Sequence, residues 1–222
     1  MTTTDPAAAP RPLRADAARN RKRIVGAARE LFAERGLEVT LDDVAVRAGV
    51  GVGTVYRRFA NRDELIEAVF VHHIQEVTER ITTEIENAEP WDAVVLLLTA
   101  VGEFIADDRG LATMLTSVDH EASALAEAKN TVETLVLSVY SRAEEAGVLR
   151  PELVPADFFG FVCMLAAIGE ATQPVVPGAW RRYLELMLDG MRADARPRVP
   201  LTVAALTDDE IEEIEKHKHM RR

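Results

Sequence analysis

The sequence predicts an all-α protein with a short helix-turn-helix head and a longer helical body. Three observations carry this. Apolar residues recur at helical spacing along nearly the whole chain, as in Leu65, Ile66, Val69, Phe70, Ile74, Val77, Ile81 and Ile85. Alternating β-branched runs bounded by turns are missing, apart from fragments such as "RPRVPLTV". Charge is unevenly divided: residues 1–62 hold 12 Lys+Arg against 7 Asp+Glu, whereas the other 160 residues hold 14 against 30. A basic head on an acidic body suits a polyanionic partner for the head alone, despite the net charge of −11.

Each element follows in order. Residues 1–15 are rich in Pro, Ala and Thr without periodicity, so they read as a disordered arm that turns basic at Arg11 and Arg14. The head is residues 16–62. Ile24, Ala27, Ala28, Leu31 and Phe32 share one face of its first helix, which stops at Gly36. Thr40 caps a second helix with Asp42 and Asp43 in its first turn, and Gly49 ends it. A third helix spans about residues 52–59, and Asn61 caps a fourth that reaches Ala88.

The body, residues 63–196, continues with helices from Pro90 to Ala106, Leu111 to Thr116 and Asp119 to Ala146, the last stopping at Gly147. Pro155 suits the first turn of the helix carrying "FFGFVCMLAAIG", and another helix follows Pro177 and Gly178. Residues 197–222 form a Pro-rich segment and a short polar helix with a capping box, Thr207 and Glu210. No apolar run reaches the roughly 20 residues of a membrane span, and the N-terminus lacks a secretory signal pattern. Cys163 is the single cysteine, which excludes an internal disulfide or a CxxC site and suits a reducing cytoplasm.

The stretch "GVGVGTVYRRF", residues 49–59, at first suggests a phosphate-cradling loop. A dinucleotide fingerprint needs a strand before the glycines, yet "LDDVAVRA" has helical period, and a P-loop needs a lysine that Gly53-Thr54 lacks. A helix-turn-helix fits better. Ala45 is small where two helices cross, Gly49 tolerates positive φ in the turn, and Val44, Val50 and Val55 supply the packing between helices. Phe59 anchors the end of the second helix, leaving Val52, Gly53, Thr54, Arg57 and Arg58 to face a DNA groove.

Taken together, "ARELFAERGLEVTLDDVAVRAGVGVGTVYRRFANRDELIEAVF" resembles the DNA-binding region of TetR-family regulators. The shared elements are Phe32-x-x-x-Gly36, a Thr-capped second helix, Ala-Gly-Val at the turn, Gly-Thr-Val-Tyr with a following aromatic, and Asn-Arg-Asp-x-Leu opening the fourth helix. They lie between residues 29 and 70, roughly a fifth of the chain, while the remainder resembles the family in helical layout only. The resemblance implies a DNA-binding head joined to a helical ligand-binding and dimerisation domain. It places Tyr56 and Arg62 on the DNA backbone. Thr40, at a helix N-terminus, suits a phosphate. Val52 suits a thymine methyl, Arg57 a guanine, and Arg58 either a guanine or a phosphate. The sequence departs from the family at Gly51-Val52, where many members have Ser-Lys or Ser-Arg. An N-cap hydroxyl and a cation are lost, and weight shifts to Arg57 and Thr54. Arg11, Arg14, Arg19, Arg21, Lys22 and Arg23 are candidates to reach phosphate or a minor groove, the alternative for Arg19 to Arg23 being a solvated helix face.

For the body, the near-continuous apolar run from Phe158 to Ile168 implies burial on both sides. Phe158, Phe161, Val162, Leu165, Trp180, Tyr183, Leu184 and Met187 are expected at a homodimer contact, the alternative being monomer core. Trp91, Phe104, Met114, His120, Tyr140, Met164 and Glu170, with Glu103, are candidates to line a pocket for a small apolar effector. His72-His73 lack helical partners for a metal, and neither a metal nor a cofactor is expected. No nucleophile–base set marks an enzyme. The expectation is a cytoplasmic dimeric regulator, most simply a repressor, that leaves a palindromic operator when a small-molecule effector binds. The alternative is a DNA-binding regulator controlled by a protein partner.

Overall fold

The computed structural model describes residues 11–36, 39–107, 123–173, 175–193 and 199–219. Its helices are α1 (Arg11–Arg35), α2 (Leu41–Ala48), α3 (Val52–Tyr56), α4 (Arg62–Asn87), α5 (Pro90–Asp107), α6 (Ser123–Glu145), α7 (Asp157–Thr172), α8 (Trp180–Met191) and α9 (Asp208–His219). Among the described residues no strand forms, and β pairing is confined to one antiparallel bridge between Leu149 and Arg192. The helix expected at Leu111 to Thr116 lies outside the described residues. The chain divides into two units, Met1–Val69 and Phe70–Arg222. The division falls inside α4, later than the boundary expected at residue 62, because Leu65, Ile66 and Val69 of its first turns are buried with the head.

In the head, α1 begins at Arg11, so residues 11–15 are helix rather than part of an arm. The stretch "RPLRADAARNRKR" is rich in strong helix formers, and Pro12 sits in the first turn, where its missing N–H costs nothing. Ile24, Ala28, Leu31 and Phe32 of α1 are buried, as are Leu41, Val44, Ala45 and Ala48 of α2, and α1 and α2 pack together. Arg47 ties the same two helices from outside. Its guanidinium donates to both carboxylate oxygens of Glu34, at 3.0 and 2.7 Å, and to Glu30 at 3.2 Å. That bond holds the Glu34 carboxyl below its ordinary range.

In the body, α5 packs against α6, α7 and α8, and α7 also packs on α8. Leu97, Leu98, Phe104, Ile105, Val139, Leu165 and Trp180 are among the buried apolar side chains there. Gly102 makes the α5–α8 contact possible, since a Cβ at that position would lie 2.1 Å from Cζ3 of the Trp180 indole. The last turn of α4 is capped from α6, where Arg142 donates to the Ile85 carbonyl at 2.8 Å and the Ala88 carbonyl at 2.7 Å. A cation on those carbonyls satisfies helix-end acceptors and complements the negative end of the helix dipole. The capping box at the start of α9 forms as the sequence predicts, with Glu210 accepting from Thr207 N–H at 2.8 Å and Thr207 Oγ1 accepting from Glu210 N–H at 3.3 Å.

Candidate nucleic-acid interface and effector cavities

The head site is built on the turn between α2 and α3. Thr40 opens α2 with a complete capping box: Asp43 accepts from the Thr40 N–H at 3.0 Å and from its hydroxyl at 2.6 Å, and Asp43 N–H donates to Thr40 Oγ1 at 3.2 Å. These bonds keep the Asp43 carboxyl ionised below the ordinary aspartate range. Thr40 therefore stands where the sequence places it, but Asp43 already occupies both groups proposed for a phosphate. Gly49 terminates α2 in the left-handed region, φ 62° and ψ 39°, and the Val50 N–H returns to the Ala45 carbonyl at 3.0 Å. Arg23 of α1 reaches across and donates to the Ala48 carbonyl at 2.7 Å. Of the basic run in α1, Arg23 thus holds the turn, and Arg21 stacks its guanidinium 5.2 Å from the Phe59 ring centre.

The recognition helix is shorter than the expected span of residues 52–59. Helix α3 ends at Tyr56, Arg57 caps it, and the N–H groups of Arg58 and Phe59 both turn to the Val55 carbonyl, at 2.8 and 3.0 Å. Val55 and Phe59 are fully buried, so the chain tightens to bring both side chains into the core. Gly51 precedes α3 with no side-chain cap, as its lack of a hydroxyl requires. Val52, Gly53, Tyr56, Arg57 and Arg58 are exposed and Thr54 is half-buried. Arg57 folds back on α3, donating from Nε to the Gly53 carbonyl at 3.0 Å and from Nη2 to Thr54 Oγ1 at 3.4 Å. Arg62 is half-buried as the first residue of α4, whose N-terminus is capped by Asn61, Oδ1 accepting from Glu64 N–H at 2.8 Å. Glu64 in turn accepts from Ala60 N–H at 2.6 Å.

In the body three cavities adjoin. One, about 50 Å³, is lined by Leu97, Val136, Tyr140, Leu149, Phe158 and Met191 among others. A second, about 70 Å³, is lined by Ile74, Ile81, Phe104, Val132, Phe158 and Val162 among others. The third is an open cleft of about 630 Å³ bounded by Lys129, Glu133, Pro155, Phe158, Asp208 and Ile211 among others. Of the expected pocket residues, Phe104 and Tyr140 line cavities, though separate ones. Tyr140 donates its hydroxyl to the Leu153 carbonyl at 2.6 Å, and burial together with the nearby Glu144 carboxylate pushes its phenol up. Met164 and Glu170 face solvent instead, because the buried stripe of α7 is Val162, Leu165 and Gly169. Trp91 lies beneath the Arg192 guanidinium, 5.1 Å from its ring centre, and lines none of these cavities. Met114 and His120 lie outside the described residues. Ile74 and Ile81 of α4 and Asp208 and Ile211 of α9, none of them among the pocket residues expected from sequence, also contribute walls, brought there by packing that leaves no local signal.

The expected dimer set also divides. Val162, Leu165, Trp180 and Leu184 are buried in the core of the monomer, so they are unavailable to a partner. Phe158 and Phe161 are half-buried beside the first cavity, and Met187 is half-buried against the core. Tyr183 is exposed. Among the described residues, no cluster of three or more His, Cys, Asp or Glu side chains gathers for a metal, and no helix is long and apolar enough to cross a membrane.

A capped helix, a left-handed glycine turn and a short exposed helix followed by two arginines define a helix-turn-helix transcription regulator. Comparison with known proteins assigns the family. Residues 24–69 match the model of bacterial regulatory proteins of the TetR family, and residues 89–193 match the C-terminal domain of SbtR-like transcriptional regulators. The chain belongs to the TetR family, whose members are DNA-binding transcriptional regulators. It is 34% identical over 85 residues to the regulators TtgW and SrpR of Pseudomonas putida, a match covering 38% of this chain and 63% and 40% of theirs. Less than two thirds of either relative is therefore spanned. Among solved structures, a TetR regulator from Mycobacterium vanbaalenii is 29% identical with a TM-score of 0.58, over 82% of this chain and 100% of that one. Another, from Streptomyces coelicolor, is 26% identical with a TM-score of 0.56, over 79% and 99%.

Proposed function

We propose that the protein is a cytoplasmic homodimeric repressor that binds a palindromic operator and leaves it when a small, largely apolar effector enters the body. What supports this reading most is the joint presence, in one chain, of an exposed groove-sized helix and of largely apolar cavities in the separate helical unit. In the head, Arg57 reads a guanine after giving up its bonds to Gly53 and Thr54. Val52 meets a thymine methyl, Thr54 and Gly53 lie along the groove, and Tyr56, Arg58, Arg62 and Thr40 grip the backbone. Because Asp43 engages the Thr40 hydroxyl and N–H, Thr40 contributes to phosphate binding only by exchanging that partner.

Dimerisation is assigned to α7, α8 and the segment joining them, through residues other than those buried in the monomer. Met164, Val175, Val176, Tyr183 and Leu186 are exposed apolar side chains there, and an exposed apolar cluster favours association. The cavities supply the effector site. A ligand shifts the DNA equilibrium only if it prefers one of two states, and α4, which carries residues of both units, is the element whose position it biases. Competition binding across genomic fragments at physiological salt tests the proposal. We expect strong preference for fragments bearing a palindrome with half-sites one helical turn apart, or a multiple of it. Equal affinity for all fragments overturns it.

A further inference from the structure

We propose that Phe158 is a movable partition that joins the two small cavities to the larger cleft, and that the site takes a slender molecule with an apolar tail and a single polar end. This rests on the effector reading above. Phe158 is the one residue that lines all three cavities. The small ones, about 50 and 70 Å³, are each too small for an effector, whereas the cleft of about 630 Å³ lies within the range of ligand sites, roughly 300–1,000 Å³. Swinging one aromatic side chain makes a single space of them.

One feature makes that swing easy. Space on several sides deprives the ring of the dense contacts that hold core aromatics in place, and Phe158 is only half-buried. The backbone beneath it is a tight turn. Asp157, Phe158 and Phe159 donate to the carbonyls three residues back, at 3.0, 3.0 and 3.2 Å, and the Asp157 carboxylate accepts from the Val154 N–H at 3.0 Å. The backbone is thus held while the ring at its surface is free to change rotamer.

The lining sets the chemistry of the ligand. Beyond Phe158 the walls are aliphatic and aromatic, with Thr78 and Tyr140 the polar side chains, and the Tyr140 hydroxyl is already committed to Leu153. A polar group carried inward loses its water and finds only the Thr78 side chain to replace it. The tail is therefore apolar. At the cleft, Lys129, Glu133 and Asp208 offer polar contacts for one end group. Asp208 and Ile211 belong to α9, beyond the matched residues 89–193.

The test is calorimetric titration of the full-length protein with straight-chain primary alcohols, from 1-hexanol to 1-dodecanol. For the wild type we expect one site per chain and affinity rising about threefold to fourfold per methylene as the tail passes the ring. In Phe158→Ala the cavities are joined in the free protein, so the longest alcohols bind at least about tenfold more tightly while 1-hexanol changes little. In Phe158→Trp the larger partition makes the rise stop at a shorter chain. Phe158→Leu provides the same comparison with less loss of packing, and melting of each variant checks its fold. Binding whose dependence on chain length is the same in all variants overturns the partition and leaves the effector reading standing. No binding of any alcohol to the wild type overturns both.

Discussion

Arg57 and Arg62 carry the same charge at positions that ask different things of it. Arg57 is exposed at the end of α3 and held by two bonds to its own helix, each worth about 0.5–1.5 kcal/mol net. A bidentate guanine contact offers about 1–3 kcal/mol of discrimination, enough to draw it away. Arg57→Ala should therefore relax sequence preference, whereas Arg62→Ala should weaken all sites and reduce the salt slope of binding by about one. Equal behaviour of the two variants in salt-dependent binding would remove this division. Asp43 gives a pH prediction. Its folded-state carboxyl is depressed by the Thr40 bonds, so its contribution is present above the unfolded-state value and disappears as pH falls through the folded one. Thermal melts should show the wild type more stable than Asp43→Asn near neutrality, with the difference shrinking in acid. In the body, Gly102→Ala places a methyl group inside the Trp180 ring. It should cost about 1–3 kcal/mol or more, read from denaturant midpoints.

At the level of elements, legibility followed how local the causes are. The caps of α2, α4 and α9 were readable because Thr40, Asn61 and Thr207 stand three residues before the carboxylates that complete them. The left-handed turn at Gly49 was readable for the same reason. What failed needed knowledge of distant neighbours. Nothing in "FFGFVCMLAAIG" says which side of α7 meets α5, so the run leaves Leu165 open between a homodimer contact and the monomer core and makes Met164 a pocket candidate, whereas the fold buries Leu165 and exposes Met164. Trp180 is likewise left open between interface and core, because its seat, Gly102, lies 78 positions away. Arg142 had no local signature either, although it caps α4 from α6. Arg142→Ala should cost about 1–3 kcal/mol through its two charged bonds. Amide exchange in the last turn of α4 should rise with it. Lysine at this position restores part of the loss, since an ammonium lacks the planar fork that spans both carbonyls.

For the whole molecule, the proposed dimer makes the strongest claim, because it links an exposed patch in the body to DNA affinity in the head. Leu186 is 59% exposed and Leu184 is 4% exposed, though both lie on α8. Leu186→Glu places a charge where a partner would sit without touching the monomer core, whereas Leu184→Glu buries that charge inside it. The first should yield a folded monomer by sedimentation and melting, and the second an unfolded or strongly destabilised chain. Separation of the heads then has a predictable consequence. In a dimer the second head binds at the high effective concentration set by its tether, which raises affinity by about 10²–10⁴ without any new contact. Leu186→Glu should therefore lose that factor on the full palindrome yet match the wild type on an isolated half-site. A Leu186→Glu monomer that holds the palindrome as tightly as the wild type would show that the two heads do not act together. The α7–α8 face would then have to serve something other than operator recognition.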